Sequence, residues 1–578
     1  MIGAPMSYYS FTDRLIEYLP IVKTLKTYKK AYLKSDITAA LTVAIISIPQ
    51  SMAYAIIAGL DPVYGLYTAI VSTIMCALFG NSEHLIGGPT NAISLLVASG
   101  MKNFAGADNF YELLFLMTFV VGLMQILFGV LKLGRVINYV SHAVIVGFTA
   151  GAGVLIALGQ LNSLMGISLK GSYASPVLKV VAVFQNLEET NLYAFVLGLI
   201  TIAVIVICRK INKNLPGSLF AMILSIILAM LFSVDRYGVK LTGDIPATLP
   251  PFQWIPLSYQ SFRQVLPGAV PIAIIGLVEA MSIAKSIAST SGQKLDANRE
   301  FIGQGIANSV TALFHGYPGS GSFTRSAVNY YSGAKTRMSG VMSGAAVAVI
   351  VLFFAPYAKY IPKSSLAGVI MVIAYNMVNR KEMKKVAKAD RSDAMVMWIT
   401  FAATVLMPDL DWAIYMGIII SIVLYLKDTN TVPVKILVPS MENSGHFQEQ
   451  EISYLKEGTE VVIVQIEGNL YFGSASDLEN KLDSLVGKTK VIILRMKTVV
   501  TVDVTAMESI RTFIRRVRKA GGTVLVCGID EGLSGMMIRS GLSEDVGEEN
   551  IFMSEKEIFG SSNRALERAA QIIDREKM

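Results

Sequence analysis

The chain has 578 residues, 53% of them hydrophobic and only 16% charged, with a mean hydropathy of +0.53. That is too apolar for a soluble enzyme and points to a polytopic membrane protein. The net charge of +8 is unevenly divided: residues 431–578 carry 18 Lys and Arg against 22 Asp and Glu, leaving 32 against 20 in the rest. Positive charge thus belongs to the apolar part, where membrane topology accounts for it, and no nucleic-acid partner is implied. Three scattered cysteines (Cys76, Cys208, Cys527) and four histidines without ligand spacing suggest neither a disulfide framework nor a metal site.

Residues 1–35 read as a polar, basic tail with Lys23, Lys26, Lys29, Lys30 and Lys34, cytoplasmic by the positive-inside rule and without a cleavable signal. Ser35 and Asp36 are placed to cap the first span, which carries IPQSMAYA (Ile48 to Ala55). Pro49 loosens the backbone there, and Gln50 and Tyr54 bring polar groups to membrane depth. A second span ends near Gly80. HLIGGPTNAISLLVASG (His84 to Gly100) follows, in which Gly87, Gly88 and Pro89 precede a helix too short to cross. Further spans are expected near Tyr111–Leu131, Ser141–Leu161, Leu192–Cys208 and Ser218–Phe232.

A polar stretch, Asp235 to Gln264, divides the halves. Beyond it come spans near Pro267–Ser289 and Phe301–His315, then GYPGSGSFTRSAVNYYSG (Gly316 to Gly333). Pro318, Gly319 and Gly321 break helix here, and Phe323 to Tyr331 covers only about 14 Å of a bilayer core roughly 30 Å thick. Spans near Met338–Phe354, Ser364–Met377, Ala394–Met407 and Trp412–Leu426 complete 14 segments in two groups of seven. Arg135, Arg209, Lys210, Lys213, Lys294, Arg299, Lys335, Arg337 and the Arg380–Arg391 cluster fall in loops expected to be cytoplasmic. Lys170, Lys179, Arg236, Lys240, Lys359 and Lys363 fall opposite. An odd number of segments per repeat inverts the second repeat relative to the first. The two half-helices then meet head to head.

Paired, interrupted segments of this kind point to a transporter binding site near the midplane. Two helix N-termini facing one small volume suit an anion, and Arg325 adds a full positive charge. Apart from Glu112 at the very start of its segment, Glu279 is the only acid inside any span expected from hydropathy, and a lone carboxyl at depth is the candidate for ion coupling. A permanent ion pair with Arg325 or Lys285 is its structural alternative. Glu rather than Asp, without a set of coordinating hydroxyls, favours H⁺ over Na⁺.

After Lys427 the pattern changes. Val461–Ile466, Val491–Leu494 and Thr523–Cys527 read as buried strands, and Ser476–Leu485 and Ala506–Lys519 as amphipathic helices. An α/β domain is expected over residues 430–578, cytoplasmic because an even number of segments returns the chain to its starting side. Residues 36–429 then form the membrane domain.

IPQSMAYAIIAGLDPVYGLYTA (Ile48 to Ala69), GGPTNAISLL and SFTRSAVNYYSGAKTR together resemble the SulP anion permeases, and the C-terminal domain resembles their STAS domain. The resemblance runs in order through nearly the whole chain. It implies core and gate domains, a homodimer, and an anion held between segments 3 and 10. Carried over residue by residue, the substrate region falls on Gln50, Tyr54, Thr90, Asn91, Ala92, Phe323, Thr324, Arg325 and Ser326, with Glu279 beside it. STAS regulators carry a phosphorylatable residue after an Asp at a helix start, which Asp503 and Thr505 match in TVDVTAMES. Simple helix capping is the plainer reading of both.

These observations imply a secondary transporter of a small anion in the cell membrane (a bacterial inner membrane), with both termini cytoplasmic, working by alternating access without a cofactor. Sulfate with H⁺ leads; Na⁺-coupled bicarbonate, H⁺-coupled C4-dicarboxylate and an uncoupled channel are the alternatives. A membrane sensor would have no need of the two breaks and Arg325. An enzyme is not expected, since no nucleophile–base pair, phosphate loop or metal spacing is present.

Overall fold

The computed structural model describes residues 19–134, 141–169, 176–212, 215–243, 246–407, 410–439, 447–455, 458–557 and 559–577. Arg135, Lys170 and Lys213, used above to mark loop sidedness, lie outside them. The chain divides into two compact units, Met1–Ser421 and Ile422–Met578.

The first unit is helical. Its first half holds α1 (Pro20–Thr27), α2 (Lys30–Ile57), α3 (Pro62–Phe79), α4 (Asn91–Met101), α5 (Phe110–Val130), α6 (His142–Leu164), α7 (Pro176–Gln185), α8 (Leu192–Ile211) and α9 (Gly217–Phe232). The second half holds α10 (Tyr259–Ser291), α11 (Ala297–Leu313), α12 (Phe323–Tyr331), α13 (Met338–Ala358), α14 (Lys363–Met377), α15 (Arg380–Ala389), α16 (Arg391–Leu406) and α17 (Leu410–Asp428). Apart from α1, α7 and α15, these are the fourteen expected segments, in order. Among the described residues seven of them (α2, α3, α5, α6, α8, α10 and α13) are long and apolar enough to cross a membrane on their own.

The shorter or more polar segments are polar for a reason. Helix α11 buries Glu300, Gln304, Asn308 and Thr311. Asn308 donates to Gln125 Oε1 (2.8 Å) and to Gly319 O (3.1 Å), and its Oδ1 accepts from Gly319 N (2.8 Å). The polar face of α11 thus satisfies backbone groups that the break before α12 leaves without a helical partner. Helices α2–α5 pack with α10–α13, and α6, α8 and α9 pack with α14 and α16. Each bundle therefore draws on both halves of the chain.

Between the half-helices runs a two-residue antiparallel pair, β1 (Gly87–Gly88) and β2 (Ser320–Gly321), in which Gly87 faces Gly321 and Gly88 faces Ser320. Gly88 has φ +134°, and a Cβ there would lie 2.7 Å from Arg325 Nη1. Glycine is required at this position both by conformation and by space.

Two expectations fail here. Ser35 and Asp36 do not cap the first span, because α2 already begins at Lys30. Asp36 instead lies buried inside it, accepting from Lys335 N (2.7 Å), Thr336 N (3.2 Å), Thr336 Oγ1 (2.7 Å) and Tyr28 OH (3.1 Å). Nor is Glu279 the only acid within the apolar helices. Glu300 is buried in the first turn of α11, accepting from Asn81 N (2.7 Å) and Ser82 N (2.9 Å). Hydropathy ends a span where charge begins, whereas these helices continue because loop N–H groups meet the charge.

The second unit contains a six-stranded sheet in the order β4-β3-β5-β6-β7-β8. Its elements are β3 (Val434–Pro439), β4 (Phe447–Glu451), β5 (Val461–Leu470), α18 (Ala475–Asp483), β6 (Val491–Val502), α19 (Val504–Lys519), β7 (Thr523–Ile529), α20 (Glu531–Arg539), α21 (Leu542–Val546), β8 (Ile551–Met553) and α22 (Gly560–Lys577). Strands β5 to β8 are parallel, and β3 pairs antiparallel with β4 and β5. Leu478 and Leu482 of α18 and Met507, Ile510, Phe513 and Val517 of α19 cover one face, while Ala565, Ala569 and Ile573 of α22 cover the other. The three strands named in advance are all present. β4 escaped notice because FQEQE is a polar edge strand with no buried residue.

Candidate anion site

The site is built by the pairing of β1 with β2. Ile86 O accepts from Ser322 N (2.9 Å), and Ile86 N donates to Ser326 Oγ (2.8 Å), extending the pair by one residue. Both chains turn into helix directly afterwards, α4 capped by Thr90 and α12 preceded by Ser322. Because the pair is antiparallel, the helices diverge and their N-termini are left side by side. The free N–H groups and positive dipole ends of both first turns converge there. Deeper in, Ser94 and Tyr317 hydroxyls, both buried, are 2.9 Å apart and tie α4 to the segment before β2.

In front of the two N-termini lies a cavity of about 620 Å³. Gln50 and Tyr54 of α2, Thr90 and Asn91 of α4, Glu279 of α10, and Ser322, Phe323 and Thr324 of α12 line one wall. Thr149, Val369, Ile373 and Asn376, from the other bundle, line the opposite wall. The proline-loosened α2 offers Gln50, whose Oε1 has no hydrogen-bond partner among the described residues. Thr90 Oγ1 donates to Glu279 Oε2 at 3.0 Å, so the cap of one half-helix is bonded to the carboxylate.

Seven of the ten residues named from sequence therefore meet at one cavity: Gln50, Tyr54, Thr90, Asn91, Glu279, Phe323 and Thr324. Ala92, Arg325 and Ser326 do not line it. Ala92 is buried within α4, and Ser326 is taken up by its bond to Ile86. Arg325 is fully buried behind the wall, where Nη2 donates to Pro89 O at 2.7 Å. Its Nε and Nη1 have no hydrogen-bond partner among the described residues. Tyr54 and Glu279 lie within electrostatic reach of the guanidinium. Arg325 thus stands behind the cavity wall rather than on it.

The sequence reading did not single out Thr149, Ser322, Arg209 or Asn376. Arg209 and Asn376, bonded to each other, line the cavity at the C-terminal ends of α8 and α14. In sequence Arg209 is one of several basic residues at a span end, and only the fold shows that it also faces the cavity. No group of three or more His, Cys, Asp or Glu side chains that could hold a metal occurs among the described residues.

In the second unit Asp503 caps α19, with Oδ1 accepting from Ala506 N (2.8 Å) and Oδ2 from Phe472 N (2.7 Å). Thr505 is exposed in the first turn. Outside the membrane part, the Arg511 guanidinium, with Arg515 beside it, holds the Asp545 carboxyl below the usual carboxylate range.

Comparison with known proteins agrees with this architecture. The sulfate permease family profile matches residues 33–400 and the STAS domain profile residues 454–558. A putative sulfate transporter of Bacillus subtilis, YvdB, is 32% identical over 93% of this chain and 99% of its own length. The chloroplastic sulfate transporter 4.1 of Arabidopsis thaliana is 28% identical, covering 93% of this chain and 82% of its own. Murine Slc26a9, solved as an anion transporter in the inward-facing state, superposes with TM-score 0.87 at 20% identity, over 98% of this chain and 96% of its own. The transmembrane domain of the cyanobacterial bicarbonate transporter BicA superposes with TM-score 0.59 at 24% identity, over 68% of this chain and 98% of its own. The chain is an anion transporter of the sulfate permease family, a multi-pass membrane protein with a STAS domain, and not an enzyme.

Proposed function

We propose that this transporter carries sulfate together with H⁺, by alternating access of the cavity between α4 and α12. The observation that carries the reading is the hydrogen bond from Thr90 Oγ1 to Glu279 Oε2, at the point where two helix N-termini converge. While Glu279 is ionised, the single hydroxyl proton of Thr90 is committed to it. Protonation makes Glu279 a donor, removes a negative charge from the cavity wall, and frees the Thr90 proton for an anion. Proton and anion then favour each other's binding by the same factor. Gln50, Tyr54, Asn91 and Thr324 supply polar atoms around the anion, Phe323 shapes the wall, and Arg325 provides field from behind.

Sulfate is favoured over bicarbonate or a C4-dicarboxylate because the Bacillus subtilis and Arabidopsis thaliana relatives that match over nearly the full chain are named as sulfate transporters. In this reading the cavity mouth at Arg209 and Asn376 faces the cytoplasm, both termini are cytoplasmic, and two chains form the working dimer in a bacterial inner membrane. The STAS domain occupies residues 430–578, with the exposed Thr505 as its candidate regulatory position beside the capping Asp503. Uptake of radiolabelled sulfate, bicarbonate, fumarate and chloride into proteoliposomes, under imposed ΔpH or Na⁺ gradients, tests the whole reading. Sulfate accumulation driven by ΔpH is the expected result. Accumulation that follows Na⁺ and ignores ΔpH would overturn the coupling, and current without saturable uptake would make the protein a channel.

A further inference from the structure

A second cavity, of about 250 Å³, lies at the other end of the bundle formed by α6, α8 and α14. Thr149, Arg209 and Asn376 of these helices face the central cavity; Asn162, Ala194 and Ser364, on the same three helices, face the second one. Twelve residues of α14 separate Ser364 from Asn376, which is about 18 Å at ~1.5 Å per residue. The two cavities are therefore distinct, at opposite ends of one helix set.

The second cavity is built around positive charge. Lys240 and Lys363 both line it, and their backbones are joined: Lys363 N donates to Lys240 O at 2.9 Å. The neighbouring Leu241 bridges Pro362, and Thr242 donates through N (2.9 Å) and Oγ1 (2.8 Å) to Ile361 O. This stitching sets the two lysine backbones opposite each other, so both side chains start from the rim of one cavity. Among the described residues no carboxylate lines the cavity. The N-terminus of α14, fifteen residues long, opens there without a side-chain cap. Ser364, 2% exposed, lines the same cavity, and its Oγ has no hydrogen-bond partner among the described residues. Asn162 adds an amide whose Oδ1 is also without one; a half-turn of that amide presents Nδ2 instead.

A buried hydroxyl left without a partner is costly in a folded protein, and it is most simply satisfied by a ligand that accepts its proton. We infer that Lys240, Lys363, Ser364 and the N-terminus of α14 form a second oxyanion-binding site, remote from the central one. Its ligand is a small tetrahedral oxyanion or the phosphate of a lipid headgroup, held by two ammonium groups, the serine hydroxyl and helix N–H groups. Under the topology proposed above, this site faces the outside. There it would concentrate anions at the end of the helices that also wall the central cavity.

Full-length protein in detergent without added lipid would be titrated with ³⁵S-sulfate. The variant K240Q/K363Q is expected to lose one binding component, and S364A, which keeps both charges, to weaken that component roughly tenfold. Both lysines are exposed, so the variants should fold, and any component assigned to the central cavity serves as the internal check. Superimposable isotherms for wild type and K240Q/K363Q would overturn the inference. An unchanged component in S364A would overturn it too, leaving only a diffuse basic surface. Loss of the central component alone, on substitution of Thr90, would bear on the transport site and not on this one. A parallel arm adds phosphatidylglycerol: displacement of sulfate assigns the site to a lipid phosphate, and no displacement assigns it to a free oxyanion.

Discussion

Thr90, the cap of one half-helix, donates its hydroxyl proton to Glu279 on a helix from the other half of the chain, across 3.0 Å. The bond joins the N-terminus of α4 to the only carboxylate that lines the central cavity among the described residues. Its two partners give the first two predictions.

Glu279→Gln keeps the shape and the bond to Thr90 but fixes the neutral form. The variant is expected to bind and exchange sulfate at any pH, yet to lose accumulation driven by ΔpH. The check is uptake with and without an imposed gradient in the same proteoliposomes. Concentration of sulfate as in wild type would make Glu279 a structural residue.

Thr90→Val removes the hydroxyl while keeping bulk. Sulfate affinity is expected to fall roughly tenfold, the size of one hydrogen bond to a charged group. Saturation of uptake against sulfate concentration measures it, and an unchanged KM would take the hydroxyl out of the site.

Arg325 and Gly88 should behave as one unit. Arg325→Ala removes the buried charge and leaves Pro89 O without its donor, so affinity is expected to fall at least tenfold; Lys restores part of it through charge alone. Gly88→Ala places a methyl 2.7 Å from Arg325 Nη1 at φ +134°, and is expected to lower affinity by displacing the guanidinium. If Gly88→Ala binds sulfate normally while Arg325→Ala does not, the guanidinium position is unimportant and only its charge matters.

In the STAS domain, Asp503→Ala removes the α19 cap together with the bond to Phe472 N. A loss of about 1 kcal/mol of domain stability is expected, the usual size for a cap. Hydrogen exchange of the α19 amides in the full chain reads it directly, and protection equal to wild type would show that the cap is dispensable.

Asp545 gives a pH dependence. Arg511, and then Arg515, depress its folded-state value, so its contribution is present above the unfolded carboxyl value near ~4 and is lost as pH falls through the lower, folded value. Amides of α19 and α21 should exchange faster in Asp545→Asn than in wild type at neutral pH, and the gap should close below about pH 4. A gap that persists in acid would assign the effect to packing. The pair is partly exposed, so the effect is modest and shrinks with salt.

Much of this protein was legible from its sequence, and the particular residues show why. Pro318, Gly319 and Gly321 interrupt a helix wherever they stand, and nine residues cannot cross a bilayer. The half-helices thus followed from local chemistry, and their inversion followed from counting segments. The α/β alternation after Lys427 was similarly local. Asp36 and Glu300 were misread because hydropathy treats an acid as the end of a span. The backbone N–H groups that stabilise them, from residues 335 and 336 and from residues 81 and 82, arrive from elsewhere in the chain.

The sequence by itself determined the number and order of the segments, the two breaks, and the residue types able to meet an anion. Those depend on propensity, length and transfer free energy, which each stretch carries alone. Only the tertiary structure decided which of those residues share a cavity. Arg325 is withdrawn behind Pro89, while Asn376, more than fifty residues away in the chain, faces the space it leaves. Contact of that kind is set by β1 meeting β2 across 231 intervening positions, and no local pattern encodes which partner a two-residue strand will find.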